Sequence, residues 1–197
     1  MSPGWPVELQ HGSVGLRPLR RRDASTWSRL RRANAQWLGP WDASLPVEAG
    51  PPATSFVAMT VLMRRRARQG LSMPFVITWE GEMVGMVTVS NITWGSARMG
   101  TIGYWVAQSH AGRGITPIGV ALVCDHLFTT VGLHRVEIAI RPENAASLRI
   151  VAKLGFAEIG LAPGYLHIAG SWRDHRVFQL LAEDTPRGVL SRATRTT

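Results

Sequence analysis

From Pro74 to Val106 the apolar pattern, cut by turn residues, reads as a run of strands. Pro74 to Trp79 is one strand, Glu80-Gly81-Glu82 a hairpin turn, and Met83 to Asn91 its partner. A second turn at Gly95-Ser96 leads to another strand over Thr101 to Val106. Beyond Val106 the pattern changes. A glycine-containing loop opens a helix from about Pro117 to Val131, and a strand follows at Arg135 to Ile140. A meander that turns into strand-loop-helix-strand units implies a mixed sheet with helices on both faces.

The flanks complete the pattern. Ser13 to Leu19 reads as a first strand, stopped by Pro18 and a basic turn, and Asp23 as the N-cap of a helix. Trp27, Leu30, Asn34, Trp37 and Leu38 follow at helical spacing as far as Gly39-Pro40. A loop rich in Pro, Ala and Gly runs from Trp41 to Ala53. A second helix is predicted over Ser55 to Gln69 with Gly70 as its C-cap. Asn144 reads as the cap of a helix ending at Leu154 and closed by Gly155, and strands at Phe156 to Leu161 and Arg176 to Ala182 finish the core. The fold class is α/β of the α+β type: one domain, with a mixed, mostly antiparallel twisted sheet of about seven strands flanked by helices on both faces. The expected boundaries are an N-terminal segment 1–12, the domain 13–184, and a basic, loose tail 185–197.

The 197 residues suffice for one domain with a large core, so neither disulfides nor a structural metal are needed. No window approaches the ~18 consecutive apolar residues of a membrane span. Met1 to Gly12 lacks the pattern of a signal peptide, so a cytoplasmic location is expected. Cys124 is the sole cysteine and reads as a buried, inert thiol. The histidines form no i, i+4 pair, and no metal site is expected. Basic residues outnumber acidic ones by 22 to 13, and Lys153 is the only lysine. The net charge of +9 is compatible with a phosphorylated cofactor, nucleic acid or a ribonucleoprotein as partner, and composition does not choose among them. Two runs, Arg20 to Arg22 and Arg64 to Arg66, can equally be solvated helix faces.

The loop after Val106 carries the first chemistry. In Gln108-Ser109-His110-Ala111-Gly112-Arg113-Gly114-Ile115-Thr116-Pro117, the glycines permit a tight bend whose amides can converge on one anion. The following helix adds the positive end of its dipole, Pro117 suits a first helical position, and Arg113 can add a full charge. This is neither a Walker A loop nor a complete dinucleotide fingerprint, and alone it can also be a plain connecting turn. A second motif, Asn144-Ala145-Ala146-Ser147 through Lys153-Leu154-Gly155-Phe156, begins 30 residues after Gly114.

Together the two motifs resemble the cofactor motifs of the Gcn5-related N-acetyltransferases, with a pyrophosphate loop written Gln/Arg-x-x-Gly-x-Gly/Ala and a helix opening Asn-x-x-Ser. The likeness covers about Val14 to Leu181, with Ser109 standing where Gln or Arg is usual. Gly170-Ser171-Trp172-Arg173-Asp174-His175 and Ser90-Asn91 are similar to the RimJ-type branch, which acetylates ribosomal-protein alanine termini. The resemblance implies acetyl-CoA as co-substrate and the N-terminal amine of a protein, possibly a ribosomal one, as acceptor. It implies cofactor contacts from Val106, Gln108, Ala111, Gly112, Arg113, Gly114, Ile115, Thr116, Asn144 and Ser147. It also implies oxyanion-stabilising amides at Trp105 and Val106, a catalytic hydroxyl at Ser147, and acceptor contacts at Asn91 and Tyr165.

Each residue has a plainer reading as well: Asn144 is a good N-cap, and serine is common at Ser147's position in a helix. The glutamate that some relatives carry before the Tyr-Leu pair is Gly164 here. Glu82, Glu137, Tyr165, His167, Asp174 and His175 remain as candidate bases. Glu137 with Arg135 can be a structural ion pair, Asp174 and His175 can brace a loop, and water can carry the proton instead. Two other functions stay open: acetylation of a small amine such as an aminoglycoside or polyamine, and a non-catalytic ribosome- or RNA-binding module on a degenerate fold.

Overall fold

The computed structural model describes residues 4–46 and 55–195. Its strands are β1 (Leu9–His11), β2 (Val14–Pro18), β3 (Met73–Trp79), β4 (Glu82–Thr93), β5 (Met99–Val106), β6 (Arg135–Ile140), β7 (Ala157–Ile168) and β8 (Ser171–Leu181). They form one sheet in the order β1-β2-β3-β4-β5-β6-β8-β7. Every neighbouring pair is antiparallel except β5 and β6. On one face lie α4 (Ile115–His126), extended by a π-helical turn over Leu127–Val131, and α5 (Ala145–Leu154). Their apolar sides, including Val120, Val123, Leu127 and Val151, close on Leu16, Phe75, Val87, Ile102 and Ile138. A smaller cluster on the other face joins Leu19, Val76, Met83 and Met86 to Trp27 and Leu30 of α1 (Ala24–Ala33) and to Phe56 and Met63 of α3 (Phe56–Arg68). The short α2 (Ala35–Leu38) continues α1. The mixed sheet with helices on both faces matches the fold class read from the sequence.

Several local expectations need correction. An eighth strand, β1, lies within the segment assigned to 1–12 and pairs with β2. Trp5 packs edge-on against Phe75 at 4.9 Å, and His126 Nε2 donates to the Gly4 carbonyl at 2.9 Å. Residues 185–195 are not loose. Val189 is fully buried, and the Asp125 carboxylate accepts the Val189 and Leu190 amides at 2.6 and 3.0 Å, holding the start of α6 (Leu190–Ala193). The helix expected from Pro117 starts at Ile115, so Pro117 is its third residue, where an amide would still lack an intrahelical acceptor. The last two strands reach into the region read as a loop, making β7 and β8 a long hairpin. Of the loop predicted from Trp41 to Ala53, residues 47–53 lie outside the described residues, and Trp41 ends a short 3-10 turn.

Asp23 does not cap α1 with its side chain. It is buried, accepts both Arg17 guanidinium nitrogens at 2.9 and 2.8 Å, and takes the Arg20 amide at 2.7 Å. Burial pushes its carboxyl up, but these hydrogen bonds and the charges of Arg17 and Arg20 outweigh that and leave it below its ordinary 3.8. Asp23→Asn should therefore destabilise the fold by about 2 kcal/mol at pH 7, because Arg17 loses its charged partner. A carboxylate with a depressed folded pKa contributes stability above its unfolded value and loses it as pH falls through the folded one. In denaturant melts the difference between wild type and variant should persist at pH 5 and shrink as pH falls below the ordinary carboxyl value of 3.8 and through the lower folded one.

Candidate active site

The sheet opens at its one parallel pair. β5 and β6 are in register only at Met99, Gly100 and Thr101, against Arg135, Val136 and Glu137. From Ile102 onward β5 stays paired to β4 while β6 departs, leaving a seam along Gly103 to Val106. Amides alternate sides along a strand. Ala107 donates to Val84 O at 2.8 Å, towards β4, so two residues back the Trp105 amide also faces β4. The Tyr104 and Val106 amides therefore face the seam. Val106's own carbonyl, on that side, accepts from Trp37 Nε1 at 3.1 Å. Of the two amides expected to meet an oxyanion, Val106 faces the seam and Trp105 faces β4, while the Tyr104 amide also faces the seam.

A cleft of about 900 Å³ runs through the seam. Its floor is Gly103 to Val106. On one side stand Gly112, Gly114, Ile115 and Thr116 from the loop and α4, facing Asn144, Ser147, Arg149 and Lys153 from the start and flank of α5. On the opposite face of the sheet it is walled by Trp37, Trp41, Asp42, Met63, Met86 and Thr88.

The loop is built to meet an anion. Gly112 and Gly114 both sit at φ +76, a left-handed conformation that other residues rarely adopt, and open space lies where a Cβ would project. Ala111 N donates to Gln108 O at 3.1 Å and is spent. The amides of Gly112 through Thr116 find no acceptor among the described residues, and they surround the N-terminus of α4. Asn34, a buried side chain at the α1–α2 junction, anchors the loop's entry by accepting the Gln108 amide at 2.8 Å through Oδ1. Gln108 and Arg113, expected to touch the cofactor, are exposed and their side chains do not line the cleft.

Asn144 caps α5, its Oδ1 accepting the Ser147 amide at 3.1 Å, and that bond fixes Ser147 at the cleft. Opposite Ser147 is a group the sequence reading passed over. The Tyr104 hydroxyl is buried and has no hydrogen-bond partner. Burial pushes its phenol up to about 12, with the nearby Ser147 side chain pulling the other way. An orphaned hydroxyl costs roughly 1–3 kcal/mol, and the Ser147 side chain beside it is the partner that a small reorganisation would supply. Asn144→Ala should cost about 1 kcal/mol of stability through the lost cap. It should also weaken coenzyme A binding, which paired thermal melts and calorimetry would register.

The base candidates lie elsewhere, for visible reasons. Glu137 is ion-paired with Arg135 at 2.6 Å, and Asp174 accepts the Gly164 amide at 2.8 Å, bracing the hairpin. His175 is buried; desolvation and the Arg141 charge leave it below its ordinary 6.5, although the Arg173 carbonyl 3.0 Å from Nδ1 pulls it up. His167 pairs with Ser44 Oγ at 2.9 Å, and Glu82 is exposed in the β3–β4 hairpin. Neither Asn91 nor Tyr165 lines the cleft: Asn91 sits at an irregularity of β4, and Tyr165 lies on the hairpin with its ring 5.4 Å from His175. The carboxylates that do line it are Asp42, bonded to Arg31, and Glu143, 3.2 Å from Arg141. Among the described residues no group of three or more His, Cys, Asp or Glu is placed to hold a metal ion. No described helix is long and apolar enough to cross a membrane.

A seamed sheet with a left-handed glycine loop at the head of a helix is the frame of a coenzyme A-dependent acyltransferase. Residues 13–157 match the family model described as "Acetyltransferase (GNAT) domain", and the chain belongs to that family. It is similar to Mycobacterium smegmatis RimJ, solved in complex with CoA-disulfide, at 42% identity and TM-score 0.91, covering 98% of this chain and 95% of that one. It is also 28% identical to the [ribosomal protein uS5]-alanine N-acetyltransferase of Escherichia coli K12, over 92% of this chain and 94% of the relative. With the probable N-acetyltransferase YjcK of Bacillus subtilis it shares 35% identity over 105 residues, and there it spans 58% of the relative's length. The protein is an acetyl-CoA-dependent N-acetyltransferase.

Proposed function

We propose that this enzyme acetylates the N-terminal α-amine of a protein, and that the acceptor is a ribosomal protein, which places its work in the cytoplasm. The observation that carries the reading is the seam: unpaired amides at its floor, a hydroxyl on one rim, and lining carboxylates already committed to arginines. The full-length likeness to a uS5-alanine acetyltransferase supports the acceptor class. A polycationic small amine would call for free acidic groups, and Asp42 and Glu143 are each paired with a guanidinium. A degenerate, non-catalytic fold is disfavoured by the intact loop and cap.

Acetyl-CoA, when bound, supplies the thioester. The amides of Gly112 through Thr116 hold its pyrophosphate, with the α4 dipole behind them. Val106 and Tyr104 N–H polarise the acetyl carbonyl, being aligned beforehand by the β4 ladder. The Ser147 hydroxyl points its proton at the sulfur. The Tyr104 hydroxyl, neutral and unpartnered in the free enzyme, turns to donate to Ser147 Oγ when the coenzyme is bound and leaves that proton free. The amine attacks in its neutral form and its proton departs through water, because among the described residues the carboxylates that line the cleft, Asp42 and Glu143, are each held by an arginine. Mass spectrometry of protein N-termini in cells with and without the protein tests the acceptor. One or a few ribosomal N-termini should lose acetylation when it is absent; unchanged N-termini alongside altered polyamine acetylation would replace this reading.

A further inference from the structure

The two arginine runs have no part in acetyl transfer, yet the fold brings them to one place. A second cleft, of about 690 Å³, is lined by Arg20 from the first run and by Arg64 and Arg68 at the end of α3. Its other walls are Trp5, Pro6, Val7, Pro18 and Leu19, with Glu8 as the one acid. It shares no lining residue with the acetyl cleft. We propose that this cleft is a second binding site, for the phosphodiester backbone of single-stranded RNA.

Glu8 is taken by Arg20 at 2.6 Å, and among the described residues no carboxylate pairs with Arg64, Arg65, Arg66 or Arg68. α3 contains no acidic residue at all, so these charges repel one another along its last turns. The helix dipole favours cations at that end, but it does not explain why Arg20, from a distant turn, lines the same cleft. Arg21, Arg22, Arg65 and Arg66 are exposed beside the lining residues and extend the positive surface along the chain. Forked guanidinium groups match phosphate geometry. The indole of Trp5 is held rigidly edge-on to Phe75, and with the prolines it gives the floor an apolar surface on which a base can lie. An acidic peptide would satisfy the charges but leave that surface unused. The helix also joins the two sites, since Met63 lines the acetyl cleft while Arg64 lines this one.

The test is fluorescence anisotropy of a labelled, mixed-sequence RNA of ~12 nucleotides across a salt series. Wild type is compared with Arg64→Gln/Arg68→Gln, both on exposed side chains, and with the triple variant adding Arg20→Gln, on a partly exposed side chain paired with Glu8. The full chain should bind with an affinity that falls steeply with salt. The triple variant should lose at least about tenfold in affinity near 0.1 M salt, and its salt slope should be shallower by about 2, at ~0.7 per lost phosphate contact. Acetylation of a free N-terminal peptide should be unchanged in both variants, which separates this proposal from the acetyl-transfer reading. Equal affinity and slope in wild type and variants would overturn it. So would competition by polyglutamate as effective as that of RNA, which would make the cleft a site for acidic proteins.

Discussion

Replacing Gly112 or Gly114 by glutamate should weaken acetyl-CoA binding at least about a hundredfold in a protein that still folds. Two effects act in the same direction. Each glycine sits at φ +76, so any side chain strains the loop by about 1–2 kcal/mol. The new carboxylate also projects into open space beside the loop, where the proposed pyrophosphate would sit, setting like charges against each other. A loss of a hundredfold or more is expected by calorimetry. Gly12→Glu provides the control: φ there is +55, open space again surrounds the missing Cβ, and the position is in the β1–β2 turn. That variant should show comparable strain in a melt and unchanged coenzyme affinity. Unchanged affinity in the two loop variants would remove the pyrophosphate from this loop.

Ser147→Ala should lower kcat by about a hundredfold, within the usual range for a lost proton donor, and leave coenzyme affinity within a few-fold. The substitution spares the cap, since it is the Ser147 amide that Asn144 accepts. Tyr104→Phe separates a supporting role from a packing one. Removing an unpartnered buried hydroxyl should raise the melting temperature slightly, because a desolvation cost disappears. The same change should lower kcat, because Ser147 loses its donor. A variant that is less stable and equally active would mark Tyr104 as packing. Equal losses of kcat and affinity in Ser147→Ala would do the same for Ser147.

The loop and the Asn144–Ser147 cap were legible in the sequence because both are local. A left-handed glycine at a helix start and an Asn three residues before a bonded amide depend on neighbours alone. What the sequence hid depends on register. Whether Trp105 or Tyr104 turns its amide to the seam is decided by the pairing of β5 with β4 and by β6 leaving after Thr101. Tyr104's hydroxyl matters only because α5 is brought over it. Asn34 reaches Gln108 across 74 residues, which no periodicity reveals. Where Asn91 and Tyr165 stand depends on pairing too: Asn91 falls at an irregularity of β4, and the β7–β8 hairpin, longer than its apolar pattern suggests, sets Tyr165 against His175. The tail deceived through composition, since its polar residues surround the few apolar ones, Val189, Leu190 and Ala193, that bind it to the core.

The central claim is that a neutral α-amine attacks directly, with no side-chain base. It is tested by the pH dependence of turnover on an N-terminal peptide, measured from pH 6.5 to 9 for wild type, Asp42→Asn, Glu143→Gln and Asp174→Asn. The phenol of Tyr104, at about 12, and His175, held below 6.5, both titrate outside the limb in question. The rate should rise and level off near pH 8, following the α-amine pKa of about 7.7–8, and every variant should keep that shape. A peptide whose sole amine is a lysine side chain, roughly a thousandth neutral at pH 7.4, should be a poor substrate. A variant that binds acetyl-CoA normally but shifts or loses the ascending limb would identify a true general base and contradict the account.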